Sequence, residues 1–144
     1  MNRIMTLYNQ VNEYGRVNGI EFNIISPGEI EYTMTIKKEH LSQPFAAHGG
    51  AIAGFMDALL GVCALSLSSE TDNLVSTVEF KINYLNPALE GDKLKGYASV
   101  LKEGKSLIIS QGGIKSTNRN VLIASGIGTF NKYKIEKSPL NNLL

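Results

Sequence analysis

Residues His48–Ser69 read HGGAIAGFMDALLGVCALSLSS, and this stretch decides the fold. From Gly49 to Ser69 every residue is apolar or small except Asp57, the only charged residue between His48 and Glu70. Such a run is about the 20 residues that span a bilayer. A carboxylate near its middle would cost a few kcal/mol in lipid, and no other segment reads as membrane. The run therefore predicts a buried core helix. A helix apolar all round must be covered on every side.

Working outward, Ile4, Leu7, Tyr8, Val11 and Tyr14 recur at helical spacing and Gly15 follows, predicting a short amphipathic N-terminal helix. Ile20–Ile25, the Ser26-Pro27-Gly28 turn and the alternation Ile30, Tyr32, Met34, Ile36 predict two paired strands. Lys37–Pro44 reads as a loop. Beyond the core helix come four strands: Leu74–Leu85, Leu94–Leu101, Ser106–Ser116 and Val121–Tyr133. In the first, alternation puts Val78, Phe80, Ile82 and Tyr84 on one face and Thr77, Glu79, Lys81 and Asn83 on the other. Short turns predict that the last four strands are antiparallel neighbours. The tail, Lys134–Leu144, reads as loosely held. The order predicts an α+β domain over residues 1–144, with one curved antiparallel sheet wrapped around the central helix.

A chain of 144 residues is about one domain, and 43% hydrophobic with 19% charged residues is ordinary globular usage. Fourteen Lys and Arg against 13 Asp and Glu leave a net charge of +1. That lacks the basic excess a nucleic-acid surface requires. One cysteine, Cys63, excludes an internal disulfide and a cysteine zinc site, and it reads as core packing. His40 and His48 alone make no histidine-rich metal cluster, and His40 reads as a surface residue. The N-terminus MNRIMTLYNQ lacks the apolar run of a secretory signal, so the expected location is cytoplasmic.

Asp57 is the strongest chemical signal, because a buried carboxylate costs free energy unless paired or solvated. It serves either chemistry or a structural role, as part of a wet stripe on the helix or as an acceptor for loop amides. His48-Gly49-Gly50 opens the same helix, whose first amides have no intrahelical partner. Two glycines let a ligand approach those amides, which suits a phosphate or a developing oxyanion; the plainer alternative is a tight helix entry capped by a histidine. No Gly-x-Ser-x-Gly elbow is present, and Gly104-Lys105-Ser106 lacks the upstream glycine of a P-loop.

The segment His48–Asp57, with the strand Thr77–Pro87 and the later turns at Gly91-Asp92 and Gly104-Lys105-Ser106, resembles the hotdog-fold acyl-CoA thioesterases of the phenylacetate-pathway (PaaI-like) type, within the 4-hydroxybenzoyl-CoA thioesterase superfamily. The resemblance covers about residues 20–133. It implies hydrolysis of an acyl-CoA thioester at the interface of a homodimer or dimer of dimers, with coenzyme A as part of the substrate and no other cofactor or metal. It implies that the Gly49 amide, with Gly50 a further candidate, binds the thioester carbonyl. Asp57 of the opposing subunit would be general base or nucleophile, Thr77 would orient water or that carboxylate, and His48 would orient the loop. Many relatives carry Asn where this chain has Ser42, followed here by Gln43, and often Gly where it has Phe45. Ser42 or Gln43 would take the polar role. Phe45, Phe55, Met56 and Leu59 suit the lining of an aryl or a medium-chain acyl pocket equally well. A non-catalytic acyl-CoA or acyl-carrier binding protein on the same fold is the alternative.

Overall fold

The computed structural model describes residues 1–144. The chain opens with two helices, α1 (Arg3–Val11) and α2 (Glu13–Asn18), where periodicity predicts one. Asn12 breaks the run: it ends α1 and caps α2, its side-chain oxygen accepting from the Gly15 amide at 3.1 Å. Gly15 thus lies within α2, and Gly19, at φ 65°, terminates it.

Strands β1 (Glu21–Ser26) and β2 (Glu29–Thr35) form the predicted hairpin. The segment predicted as a loop carries a small hairpin, β3 (Leu41–Gln43) with β4 (Ala46–Ala47), which leads into α3 (Gly49–Ser68). Then follow β5 (Asn73–Tyr84), β6 (Lys93–Glu103), β7 (Leu107–Ser116) and β8 (Val121–Lys134). Six strands make one antiparallel sheet in the order β1-β2-β6-β7-β8-β5. The predicted pairing of sequential neighbours holds for β6, β7 and β8 but not for β5, which pairs with β8 while β6 pairs with β2. The segment 85–92 is longer than a tight hairpin loop. It can step across three strand spacings, roughly 14 Å.

That crossing is pinned by Asp92, only 1% exposed. Its carboxylate accepts from Arg119 Nε and Nη2, both at 2.7 Å, from the Leu89 amide at 2.8 Å and from Ser116 Oγ at 3.0 Å. Burial pushes its pKa up, but Arg119, the Leu89 amide and Ser116 together outweigh it and hold the carboxyl below the usual range.

Helix α3 lies on the sheet with Phe55, Met56, Leu59, Leu60 and Cys63 fully buried. A β-carbon on Gly96 of β6 would sit 2.8 Å from both Phe55 and Leu59, so glycine there permits the close approach. Burial raises the Cys63 thiol to about 12, as fits a core residue.

Two expectations are corrected. His40 is buried rather than exposed: its Nδ1 accepts from the Lys37 amide at 3.0 Å, and its Nε2 lies 3.1 Å from Asn18 Oδ1. It ties the loop before α3 to the end of α2. The tail is held, not loose. Ile135 is buried and its amide donates to the Asp72 carbonyl at 3.1 Å, while Leu140 packs against the core. Apolar side chains dock the tail where its polar composition suggests freedom.

Candidate active site

Helix α3 is not covered on every side. Gly50, Ala53, Gly54, Asp57, Ala58 and Gly61 recur every three or four residues and stay partly or wholly exposed, a stripe of small residues around one carboxylate. The N-terminal helices shelter part of it. Asn2 bonds Ser69 Oγ at 2.9 Å near the far end of α3, and the Tyr14 hydroxyl packs against Gly54. Burial first, and the nearby Asp57 charge second, raise the Tyr14 phenol above its usual pKa.

Asp57 meets Thr77 through an irregularity in β5. The register of β5 on β8 shifts between Thr77 and Glu79, leaving Val78 as a bulge, 58% exposed. Thr77 stands opposite the buried Phe130, and Phe80 and Ile82 stand opposite Gly128 and Gly126, which face α3. The extra residue therefore turns Thr77 to the same side as Phe80, Ile82 and Tyr84. Strict alternation placed it on the opposite face, and this is a correction. The Thr77 hydroxyl donates to Asp57 Oδ1 at 2.8 Å. The second carboxylate oxygen has no protein partner.

At the start of α3, His48 is the N-cap, and its Nδ1 accepts from the Gly50 amide at 2.7 Å. Gly50 is thereby occupied as a donor, which leaves the Gly49 amide as the open one. With Nδ1 accepting, neutral His48 carries its proton on Nε2. The sequence reading gave Tyr84 no role. Its hydroxyl donates to the Gly49 carbonyl at 2.8 Å and steadies the glycine turn from β5. The signal available was its inward position at the end of a long strand.

Beside Asp57 and Thr77 a cavity of about 290 Å³ runs between α3, β5 and β8. Its helix wall is Ala58, Gly61, Val62 and Leu65, not Phe55, Met56 and Leu59 as predicted. At 100° per residue those larger side chains face the sheet and are fully buried in the core. Ser42 and Gln43 are exposed on β3, and Phe45 is 73% exposed at the tip of the small hairpin with φ of 74°. Within one protomer the structure therefore brings Asp57 and Thr77 together, and His48, Gly49 and Gly50 together about two turns of helix before Asp57. It does not bring Ser42, Gln43, Phe45 or Phe55 to the cavity.

Residues 46–123 match the family model described as the thioesterase superfamily. The chain belongs to the thioesterase superfamily. This thioesterase is 28% identical to human acyl-coenzyme A thioesterase 13 over 101 residues, 70% of this chain and 71% of that one. Among solved structures, a thioesterase family protein from Silicibacter pomeroyi superposes with a TM-score of 0.81 at 26% identity, covering 92% of this chain and 99% of the other. The E. coli PaaI protein of the phenylacetic acid degradation operon superposes with a TM-score of 0.76 at 19% identity, 90% of each chain covered. The fold is the hotdog fold, and the chain is a thioester hydrolase.

Proposed function

We propose that this thioesterase hydrolyses acyl-CoA to free acid and coenzyme A at a site completed by a second copy of the chain. The observation that carries the proposal is the Asp57–Thr77 pair at an apolar cavity, with an open amide at Gly49. Eight residues of helix separate Gly49 from Asp57, about 12 Å along the axis. One carbonyl cannot reach both in a single protomer. Strand β5 is a sheet edge, and Val78, Tyr84 and Leu85 on and after it are exposed apolar residues. Pairing two such edges continues the sheet and sets one copy's Gly49 beside the other's Asp57.

In that assembly the Gly49 amide, aided by the positive end of α3, stabilises the oxyanion that develops on the thioester carbonyl. As general base, Asp57 takes a proton from water while the water oxygen bonds to the carbonyl carbon, and as the carbon–sulfur bond breaks that proton passes to the leaving thiolate. As nucleophile, Asp57 bonds to the carbon and displaces the thiolate, and water then cleaves the mixed anhydride, giving its oxygen to the acid and its proton to the thiolate. Thr77 holds the carboxylate, and His48 holds the glycine turn. Ser42 and Gln43 lie on the hairpin preceding that turn and face the partner's carboxylate. No cofactor beyond the substrate's own coenzyme A takes part, and the site of action is the cytosol.

A thiol-release assay over a panel of acyl-CoAs, with light scattering on the same sample, tests this. The expected result is turnover by a dimer or a dimer of dimers. An active monomer overturns the shared site. The exposed serine at the family's Asn position favours a second function, a binding protein on this fold, which saturable acyl-CoA binding without thiol release would establish.

A further inference from the structure

Resting on that assignment of Asp57, we infer that the cavity beside it takes a medium-chain acyl group of roughly eight to ten carbons, and that Leu140 sets the length. Two measures agree on the size. A cavity of about 150 Å³ takes benzene, so 290 Å³ accepts nearly twice that bulk. From Asp57 to Leu65 the helix wall runs about 12 Å. Carbon–carbon bonds of about 1.5 Å in zigzag fill such a distance with roughly nine atoms.

The lining fits an alkyl chain along this length. Asp57, Ser76 and Thr77 are at one end of the helix wall, and the phenols of Tyr8 and Tyr133 also border the cavity. Beyond them the walls are Gly61, Val62, Leu65 and Leu74, with Phe130 closing under Gly61, where a β-carbon would lie 3.2 Å from its ring. Along Gly61, Val62, Leu65 and Leu74 a polar acyl tail would lose its water without replacement, save where it met the Tyr133 phenol. Leu140 enters this cavity from the turn Pro139–Leu143, and Tyr8 enters it from α1.

Tyr8, Phe130, Tyr133 and Leu140 all lie outside residues 46–123, the segment shared with the family model. The reacting pair and the helix wall thus belong to the family's segment, whereas Tyr8, Phe130, Tyr133 and Leu140 are added to the enclosure by segments of this protein beyond it. Leu140 is half-buried in a short turn at the margin of the core, and Ile135 also anchors the tail, so the melting temperature of each Leu140 variant is recorded beside its activity.

The test measures kcat/KM for saturated acyl-CoAs from acetyl to palmitoyl, with phenylacetyl-CoA included. In parallel it measures the affinity of S-alkyl-CoA thioethers of the same lengths, which bind without being cleaved. In the parent both should rise about two- to fourfold per methylene, as apolar burial requires, and fall beyond ten carbons. Leu140→Ala should move the optimum up by two carbons or more, and Leu140→Trp should move it down. An optimum unmoved by both variants overturns the inference, as does phenylacetyl-CoA turning over tenfold better than octanoyl-CoA. If thioether affinity follows this profile but no thioester is cleaved, the acyl pocket stands and the hydrolytic role of Asp57 falls. Cleavage with a flat profile does the reverse.

Discussion

Two aspartates sit against the apolar interior, Asp57 midway along α3 and Asp92 at the entry to β6. Asp92 is almost wholly buried and every lone pair is used: Arg119 grips both oxygens, and Ser116 and the Leu89 amide complete the set. Asp57 is half-buried at the side of a cavity and takes one hydrogen bond, from Thr77, which leaves its other oxygen without a protein partner. A saturated carboxylate can hold a loop but has nothing left for a substrate. An unsaturated one at the edge of an apolar cavity retains a free basic oxygen at the place where a ligand would exclude water.

The sharpest way to break the contrast is Asp57→Asn. Turnover on a good acyl-CoA should fall at least about a hundredfold, the low end for loss of a general base, while the melting temperature stays within a degree or two of the parent. A rate equal to the parent's would make Asp57 a second structural carboxylate. Asp92→Ala should do the opposite. The change takes the carboxylate acceptor from the part-exposed Arg119 and from the Leu89 amide; at about 1.5 kcal/mol each the loss is about 3 kcal/mol, which for a chain of this size lowers the melting temperature by roughly 6–12 °C. Rate per folded molecule should hold.

Acid sharpens the same contrast. Because the folded Asp92 carboxyl titrates below its unfolded value, the unfolded chain binds the proton first as pH falls, so stability is lost downward. The gap in urea midpoint between parent and Asp92→Ala should be full above about pH 4, the unfolded carboxyl's range. It should close as pH drops through the lower folded value. A gap that widens in acid would mean the carboxylate is not held by Arg119.

Legibility in the sequence follows the same division. Asp57 stood out because nothing else in its helix is charged, and the hairpin β1–β2 followed from Pro27-Gly28. Asp92 passed as an ordinary turn residue, since its partners Ser116 and Arg119 lie 24 and 27 residues on and only the fold brings them in. Thr77 was named through the family resemblance but placed on the wrong face. A bulge adds one residue without a change of composition, and period-two counting cannot detect it. The helix wall of the cavity is made by small side chains, Ala58 and Gly61, which composition alone does not mark as a pocket.

A milder cut at the site is Thr77→Ala. The hydroxyl's bond to a charged acceptor is worth about 1.5 kcal/mol at the low end, so turnover should drop roughly tenfold. Thr77→Ser should recover most of it. Deep loss in the serine variant as well would mean that the β-branched methyl, packing the bulge, matters more than the bond.

The smallest effect tests a strained position rather than a charged one. Phe45 is 73% exposed and holds φ at 74°, in the left-handed region that favours glycine. A side chain in the left-handed region costs about 1–2 kcal/mol, while glycine there gives back roughly 0.5–1 kcal/mol in unfolded-state entropy. Phe45→Gly should therefore raise stability by about 0.5–1 kcal/mol, a shift of roughly 1–4 °C, and Phe45→Ala, which keeps the strain, should not. The two variants separate backbone from ring. If both lose stability together in a concentration-dependent way, the exposed ring is docking on the second copy, and the strain at this tip is then balanced by assembly.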